Sequence, residues 1–109
     1  QKIKALINRT RNIIRKYHPT TPILFLDHIG FADMDMVPAF KQTCERVNQA
    51  HKEIIDEIRQ RDPYVHRLPR EDMGMYINAW ADSAHPNSLG HRILAMKIRE
   101  KIQEILSPK

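Results

Sequence analysis

The chain has 109 residues, 41% hydrophobic and 28% charged, which is enough for one small domain with its own core and too few for two. No apolar run approaches the roughly 18 residues that span a bilayer, and a single cysteine, Cys44, leaves no partner for an internal disulfide or a thiolate metal site. The net charge of +5 is a poor footprint for nucleic acid: six basic and no acidic residues lie in the first 17, whereas the remainder carries twelve basic and thirteen acidic ones.

That basic segment has helical spacing. At about 100° per residue, Ile3, Leu6, Ile7, Thr10, Ile13, Ile14 and Tyr17 share one face, while Lys2, Lys4, Arg9, Arg11, Arg15 and Lys16 point elsewhere. "HPTTP" ends the helix, because Pro19 and Pro22 remove two amide donors and bias the residues before them toward extended backbone. "PILFLD" follows as a short continuous apolar run, which predicts a strand buried on both faces inside a parallel sheet. "HIGFADMD" is irregular, and Pro38 then opens a second helix at a position where its missing amide costs nothing. Phe40, Cys44, Val47, His51, Ile54, Ile55 and Ile58 form its apolar face as far as "RDP", near Arg61. "YVHRLP" predicts a second, weaker strand, and "REDMGMYINAWADSAHP" a long loop. A last helix begins near Asn87, with Leu94, Ile98, Ile102 and Ile105 on one face.

Helix, strand, helix, strand, loop, helix is the alternation of an α/β protein with parallel strands, whose sites gather at the carboxyl ends of the strands. Two segments meet that condition, "DHIGFADMD" and the long loop. Two strands are too few to cover three amphipathic helices. The expectation is that further strands come from a second copy of the chain, or that these residues are the C-terminal half of a larger domain.

The chemistry concentrates in "WADSAHPNSLGH", Trp80 to His91. A carboxylate three residues before a histidine can accept a hydrogen bond from one imidazole nitrogen and leave the other as a base, the arrangement that acyl transfer needs. On spacing alone a plainer reading is stronger: Pro86 as punctuation, Asn87 or Ser88 as the N-cap of the last helix, and Asp82 as a solvated loop acid. His51 and His91, on apolar helix faces, read as hydrogen-bonded core histidines, and Cys44 as a buried small hydrophobe. Trp80, two residues before Asp82, and His28, after the first strand, are candidate substrate-binding residues. Met34, Met36, Met73 and Met75 flank the two candidate loops. His28, Asp33, Asp35 and His85 could ligate a metal, but two loop carboxylates fall far short of a full shell, and no metal is expected.

"DSAHPNSLGHRILA", with the strands before it and the helix after it, resembles the last conserved block of the SGNH or GDSL family of serine ester hydrolases. Asp82, His85, Pro86, Asn87 and Gly90 occupy the places of that block, and "TPILFLDH" is similar to the family's penultimate core strand. The resemblance implies a flavodoxin-like three-layer α/β/α domain with a parallel sheet, hydrolysing acyl or acetyl esters, on carbohydrates or lipids, through a serine, with His85 as general base oriented by Asp82. It implies no cofactor, and it points to a secreted or periplasmic home. The family's Gly-Asp-Ser and Gly-x-Asn-Asp motifs have no counterpart here: the only serines are Ser83, Ser88 and Ser107 and the only glycines Gly30, Gly74 and Gly90. The expectation is a C-terminal segment, residues 1–109, that supplies two working parts and is inactive without the nucleophile-bearing half. The alternative is a non-catalytic α/β interaction module that docks an acidic partner through its basic first helix.

Overall fold

The computed structural model describes residues 2–75 and 79–107. The elements follow in the expected order: α1 (Lys2–Tyr17), β1 (Ile23–Leu26), α2 (Pro38–Arg59), β2 (Val65–Leu68), a single 3-10 turn (Arg70–Asp72) and α3 (Ser88–Leu106). Strands β1 and β2 are parallel, with Ile23 opposite Val65 and Leu26 opposite Leu68. Pro38 sits at the start of α2, and Val37 before it provides no side-chain cap.

Side chains alternate across a strand, so Ile23, Phe25 and Val65 share one face of the sheet. That face meets α1 and α2 in a core of Ile7, Ile23, Ile54, Ile55, Ile58 and Val65, with Ile3, Ile14 and Phe25 packed against it. Ile55, Ile58 and Val65 are at most 1% exposed. Burying each such side chain stabilises the fold by roughly 1.5–3 kcal/mol. The opposite face carries Leu24, Leu26, His66 and Leu68. Leu68 and the α3 residues Ile93, Lys97 and Lys101 line a common cleft of about 540 Å³. Helices α1 and α2 on one side and α3 on the other are consistent with a layered α/β/α arrangement.

Three expectations are corrected. Strand β1 is covered on one face and only partly on the other: Ile23 is buried, but on the opposite face Leu24 is half-buried and Leu26 is 41% exposed. The apolar stripe of α1 is wider than its contact, since Leu6, Ile13 and Tyr17 lie in solvent while Ile7 is buried. His91 is exposed rather than part of a core, because α3 touches the body lightly and Gly90 is its only buried residue. His51 and Cys44, in contrast, are buried as expected.

The end of the sheet opposite the loops is closed by ions. Asp62, just after α2, accepts hydrogen bonds from Arg11 Nε and Arg15 Nε, both at 2.8 Å, and Arg15 Nη1 reaches the carbonyls of His18 and Thr21. Lys4 pairs with Glu57. Three of the six cations of α1 are thus bound to the chain's own carboxylates, which reduces the charge that helix offers to an acidic partner.

Candidate active site

The 79–87 loop is built by short-range hydrogen bonds. Trp80 and Pro86 form an antiparallel bridge, and Ala81 donates its amide to the carbonyl of His85 at 2.8 Å. Asp82 Oδ1 accepts from the amides of Ala84 (2.9 Å) and His85 (2.8 Å), so the loop turns around its own carboxylate. The loop runs directly into α3, where Asn87 accepts the amide of Gly90 at 2.8 Å and acts as N-cap. The two readings of this stretch are compatible: it is a capped helix start that also presents an Asp–His pair.

His85 Nδ1 lies 3.0 Å from Asp82 Oδ1 and 3.1 Å from Oδ2. The amide of Ala84, the imidazole of His85 and the amide of His85 hold the Asp82 carboxyl below the usual carboxylate range. An ionised carboxylate only accepts, so Nδ1 carries the proton and neutral His85 keeps a lone pair on Nε2. The pair is open, with side chains 77% and 62% exposed. No serine hydroxyl among the described residues reaches His85: Ser83 Oγ donates to Asp33 Oδ1 at 2.7 Å and Ser107 Oγ to the carbonyl of Gln103.

A second His–Asp pair lies at the carboxyl end of β1, and sequence reading assigned His51 a core role without finding its partner. Asp27 Oδ1 sits 2.7 Å from His51 Nδ1, while Oδ2 accepts from Arg67 Nη1 at 2.6 Å and from the amide of Arg70 at 3.1 Å. Both residues are buried, and Phe25 meets the His51 ring edge to face. The partners lie 24 residues apart in sequence, so no local spacing announces them. A buried His–Asp pair of this kind is consistent with part of a catalytic dyad or triad, although both carboxylate oxygens and the ring are already enclosed.

The loop from His28 to Val37 stands beside the 79–87 loop. Asn48 fixes its start by accepting the amide of His28 and donating to the carbonyl of the same residue. The amide of Gly30 donates to His28 Nδ1 at 2.9 Å, which leaves the proton of the neutral ring on Nε2, so exposed His28 is a donor at that atom and not a base. Phe31, Met34, Met36, Met75 and Trp80, together with Asp33, Asp35, Arg70 and Glu71, line a cleft of about 310 Å³. Trp80, Met34, Met36 and Met75 therefore come together, whereas Met73 is fully buried and serves the core. Asp82 and His85 do not line this cleft; Trp80 is the member of their loop that does. Burial pushes the Cys44 thiol up, which keeps it protonated at neutral pH and unsuited to nucleophilic attack. Among the described residues no three His, Cys, Asp or Glu side chains converge as a metal site, and no helix is long and apolar enough to cross a membrane.

Residues 1–103 match the family model of the GDSL-like Lipase/Acylhydrolase family. The chain belongs to that family. No curated protein and no solved structure matches it. For a GDSL-like chain the family membership and the His–Asp pairs are together consistent with a hydrolase-type site. The structure itself accounts for Gly90: a side chain there would collide with the carbonyl of Ala79, so the close approach of loop and helix requires glycine.

Proposed function

We propose that this chain is the C-terminal segment of a serine ester hydrolase and contributes the histidine and aspartate of a Ser-His-Asp triad. In this reading Asp82 orients His85, and His85 Nε2 takes the proton of a serine hydroxyl as it attacks an acyl or acetyl ester, then returns it to the departing alcohol. Trp80 and His28 contact the substrate, Trp80 as a wall of the neighbouring cleft and His28 as an Nε2–H donor. The observation that carries the reading is the pairing of His85 Nδ1 with both Asp82 oxygens, which leaves Nε2 unprotonated and open to solvent. The buried alternative, His51 with Asp27, offers no such access.

The nucleophile and oxyanion donors lie, on this proposal, in a segment that completes a flavodoxin-like three-layer sheet. Strand β1 is the edge to which it adds. Its apolar "ILFL" suits a central strand, whereas β2, with His66 and Arg67, has the charged character that keeps edge strands from further pairing. The amides of Ile23 and Asp27 donate to the carbonyls of Tyr64 and Leu68, at the start and the end of β2, so by the alternation of a parallel ladder the amides of Leu24 and Leu26 face the other way.

The test is an intact-mass measurement on the source polypeptide, followed by labelling with a fluorophosphonate that reacts with activated serines. The expected result is a longer or second polypeptide carrying Gly-Asp-Ser that takes the label and hydrolyses p-nitrophenyl acetate. His85→Ala should lower that turnover by about 10⁴-fold or more. The 109 residues alone should neither label nor turn over ester. Serine-dependent turnover by these residues alone, or full turnover in His85→Ala, overturns the proposal.

A further inference from the structure

We infer that Asp33 is a positioning residue for the Asp82–His85 pair, an inference that rests on the reading of that pair given above. The pair has little support of its own. Both side chains are mostly in solvent, and each hydrogen bond that shapes the turn around Asp82 comes from within residues 81–85. A loop held only by its own bonds samples several geometries, and a general base works when it is held within a fraction of an ångström of one of them. The bonds among Ala79, Trp80, Pro86 and Asn87 fix the ends of the loop where it meets α3, and the turn between them needs a hold of its own.

The outside contact falls on Ser83, the residue between Asp82 and Ala84. Ser83 Oγ donates to Asp33 Oδ1 at 2.7 Å, and the carbonyl of Ser83 accepts the amide of Ala32 at 2.8 Å. One residue of the turn is therefore gripped by side chain and backbone from the 28–37 loop, 50 residues earlier in the chain. A hydroxyl bound to an ionised acceptor is among the stronger neutral-donor hydrogen bonds, and Asp33 and Ser83 are both half-buried, where water competes less.

The grip is useful because Asp33 stands on a fixed platform. Its own carbonyl accepts the amides of Met36 and Val37, which lead into α2. At the other end of the platform Asn48 clamps His28, and Arg70 Nε donates to the carbonyl of Ile29 at 3.1 Å. Gly30 has φ of +89°, and a side chain there would meet the Arg70 guanidinium, so the loop is shaped to let Arg70 cross it. Asp33 thus transmits the position of α2 and β2 to Ser83, and through Ser83 to the carboxylate and imidazole on either side of it. This also assigns Ser83 a structural use and removes it as a nucleophile.

The experiment reads the imidazole directly, so it does not depend on the location of the nucleophile. Nitrogen-15 NMR of the full chain at a pH where His85 is neutral reports which ring nitrogen holds the proton. The expected wild-type result is one tautomer, protonated at Nδ1. Asp33→Ala and Ser83→Ala should each turn His85 into a mixture of tautomers and broaden the amides of residues 81–85. Asp33→Asn and Ser83→Thr, which keep an acceptor and a hydroxyl, should restore the single tautomer. Amide shifts of α2 and β2, read in the same spectra, identify any variant that has unfolded. A single Nδ1–H tautomer in folded Asp33→Ala overturns the inference, as does a wild-type ring protonated at Nε2. A changed tautomer in Asp33→Ala, together with a longer or second polypeptide carrying Gly-Asp-Ser that shows no ester turnover, leaves Asp33 in its role and removes the hydrolase reading alone.

Discussion

Gly90 and Ala79 stand so close that the carbonyl of Ala79 occupies the place a side chain on Gly90 would take. The same carbonyl accepts the amide of Asn87, and Asn87 caps Gly90 in turn, so three backbone segments converge where the 79–87 loop becomes α3. Alanine is ordinarily the better helix former, yet here its methyl group must displace backbone. Gly90→Ala is expected to destabilise the fold by about 1–3 kcal/mol, an overpacking cost, and to shift the amide resonances of residues 79–87. Urea unfolding with NMR checks both. A gain in stability, the ordinary result of replacing glycine within a helix, would mean that the two segments do not touch.

Asp62 anchors α1 to the turn between α2 and β2. Its side chain is 4% exposed, and those of Arg11 and Arg15 are 19% and 11% exposed. Burial on its own would raise the Asp62 carboxyl, but hydrogen bonds from Arg15, Arg11 and the amide of Tyr64 outweigh it and hold the group below the usual range. Asp62→Ala strands two guanidinium groups at once and is expected to cost about 3 kcal/mol. A folded-state value below the unfolded one of about 3.9 means that the unfolded chain binds this proton first. The contribution is complete above that unfolded value and is lost as pH falls through the folded one. Asp62→Asn should therefore lower stability at neutral pH and flatten its dependence on pH in that acid window, as followed by urea unfolding from pH 7 downward.

Periodicity and proline placement made α1, β1, α2 and the start of α3 readable from sequence, because each is decided by residues within a turn or two. The carboxyl-end loops were readable as the place for a site for the same reason, and Asp82 and His85 are near enough in sequence for their pairing to be foreseen. The bonds that join distant segments were not. Asp27 with His51 and Arg67, Asp62 with Arg11 and Arg15, and Asp33 with Ser83 span 24 to 51 residues, and nothing in the local pattern selects one acid over another. His91 failed differently: its helical face is apolar, but the described residues place little against that face.

Asp27 joins the end of β1 to α2 through His51 and to β2 through Arg67, and the platform of residues 28–37 begins directly after it. Asp27→Ala removes the acceptor of a buried imidazole and of a half-buried guanidinium, with an expected loss of about 3–5 kcal/mol. The more informative variant is His51→Phe, which keeps the ring against Phe25 and leaves Asp27 bound to Arg67. It should fold with a smaller loss, with Asp27 still held by Arg67 and the amide of Arg70, whereas a buried catalytic base at His51 would make it as damaging to ester turnover as His85→Ala.

The Asp82 carboxyl offers the most direct reading of the exposed pair. Its low value has two origins, backbone amides within the turn and the imidazole of His85. His85→Ala removes the imidazole and retains both amides, so carbon-13 titration of Asp82 should move upward toward the ordinary carboxylate range without reaching it. Pro86→Ala, which leaves every donor in place, should not move it. An Asp82 that titrates identically in wild type and His85→Ala would show that the imidazole does not engage the carboxylate in solution. In the complete hydrolase, Asp82→Asn presents an amide whose nitrogen cannot accept from Nδ1–H, which frees the ring to adopt the opposite tautomer. A loss in turnover of about 10⁴-fold with KM little changed is expected there. A loss confined to KM would place Asp82 in substrate binding instead of in orienting the base.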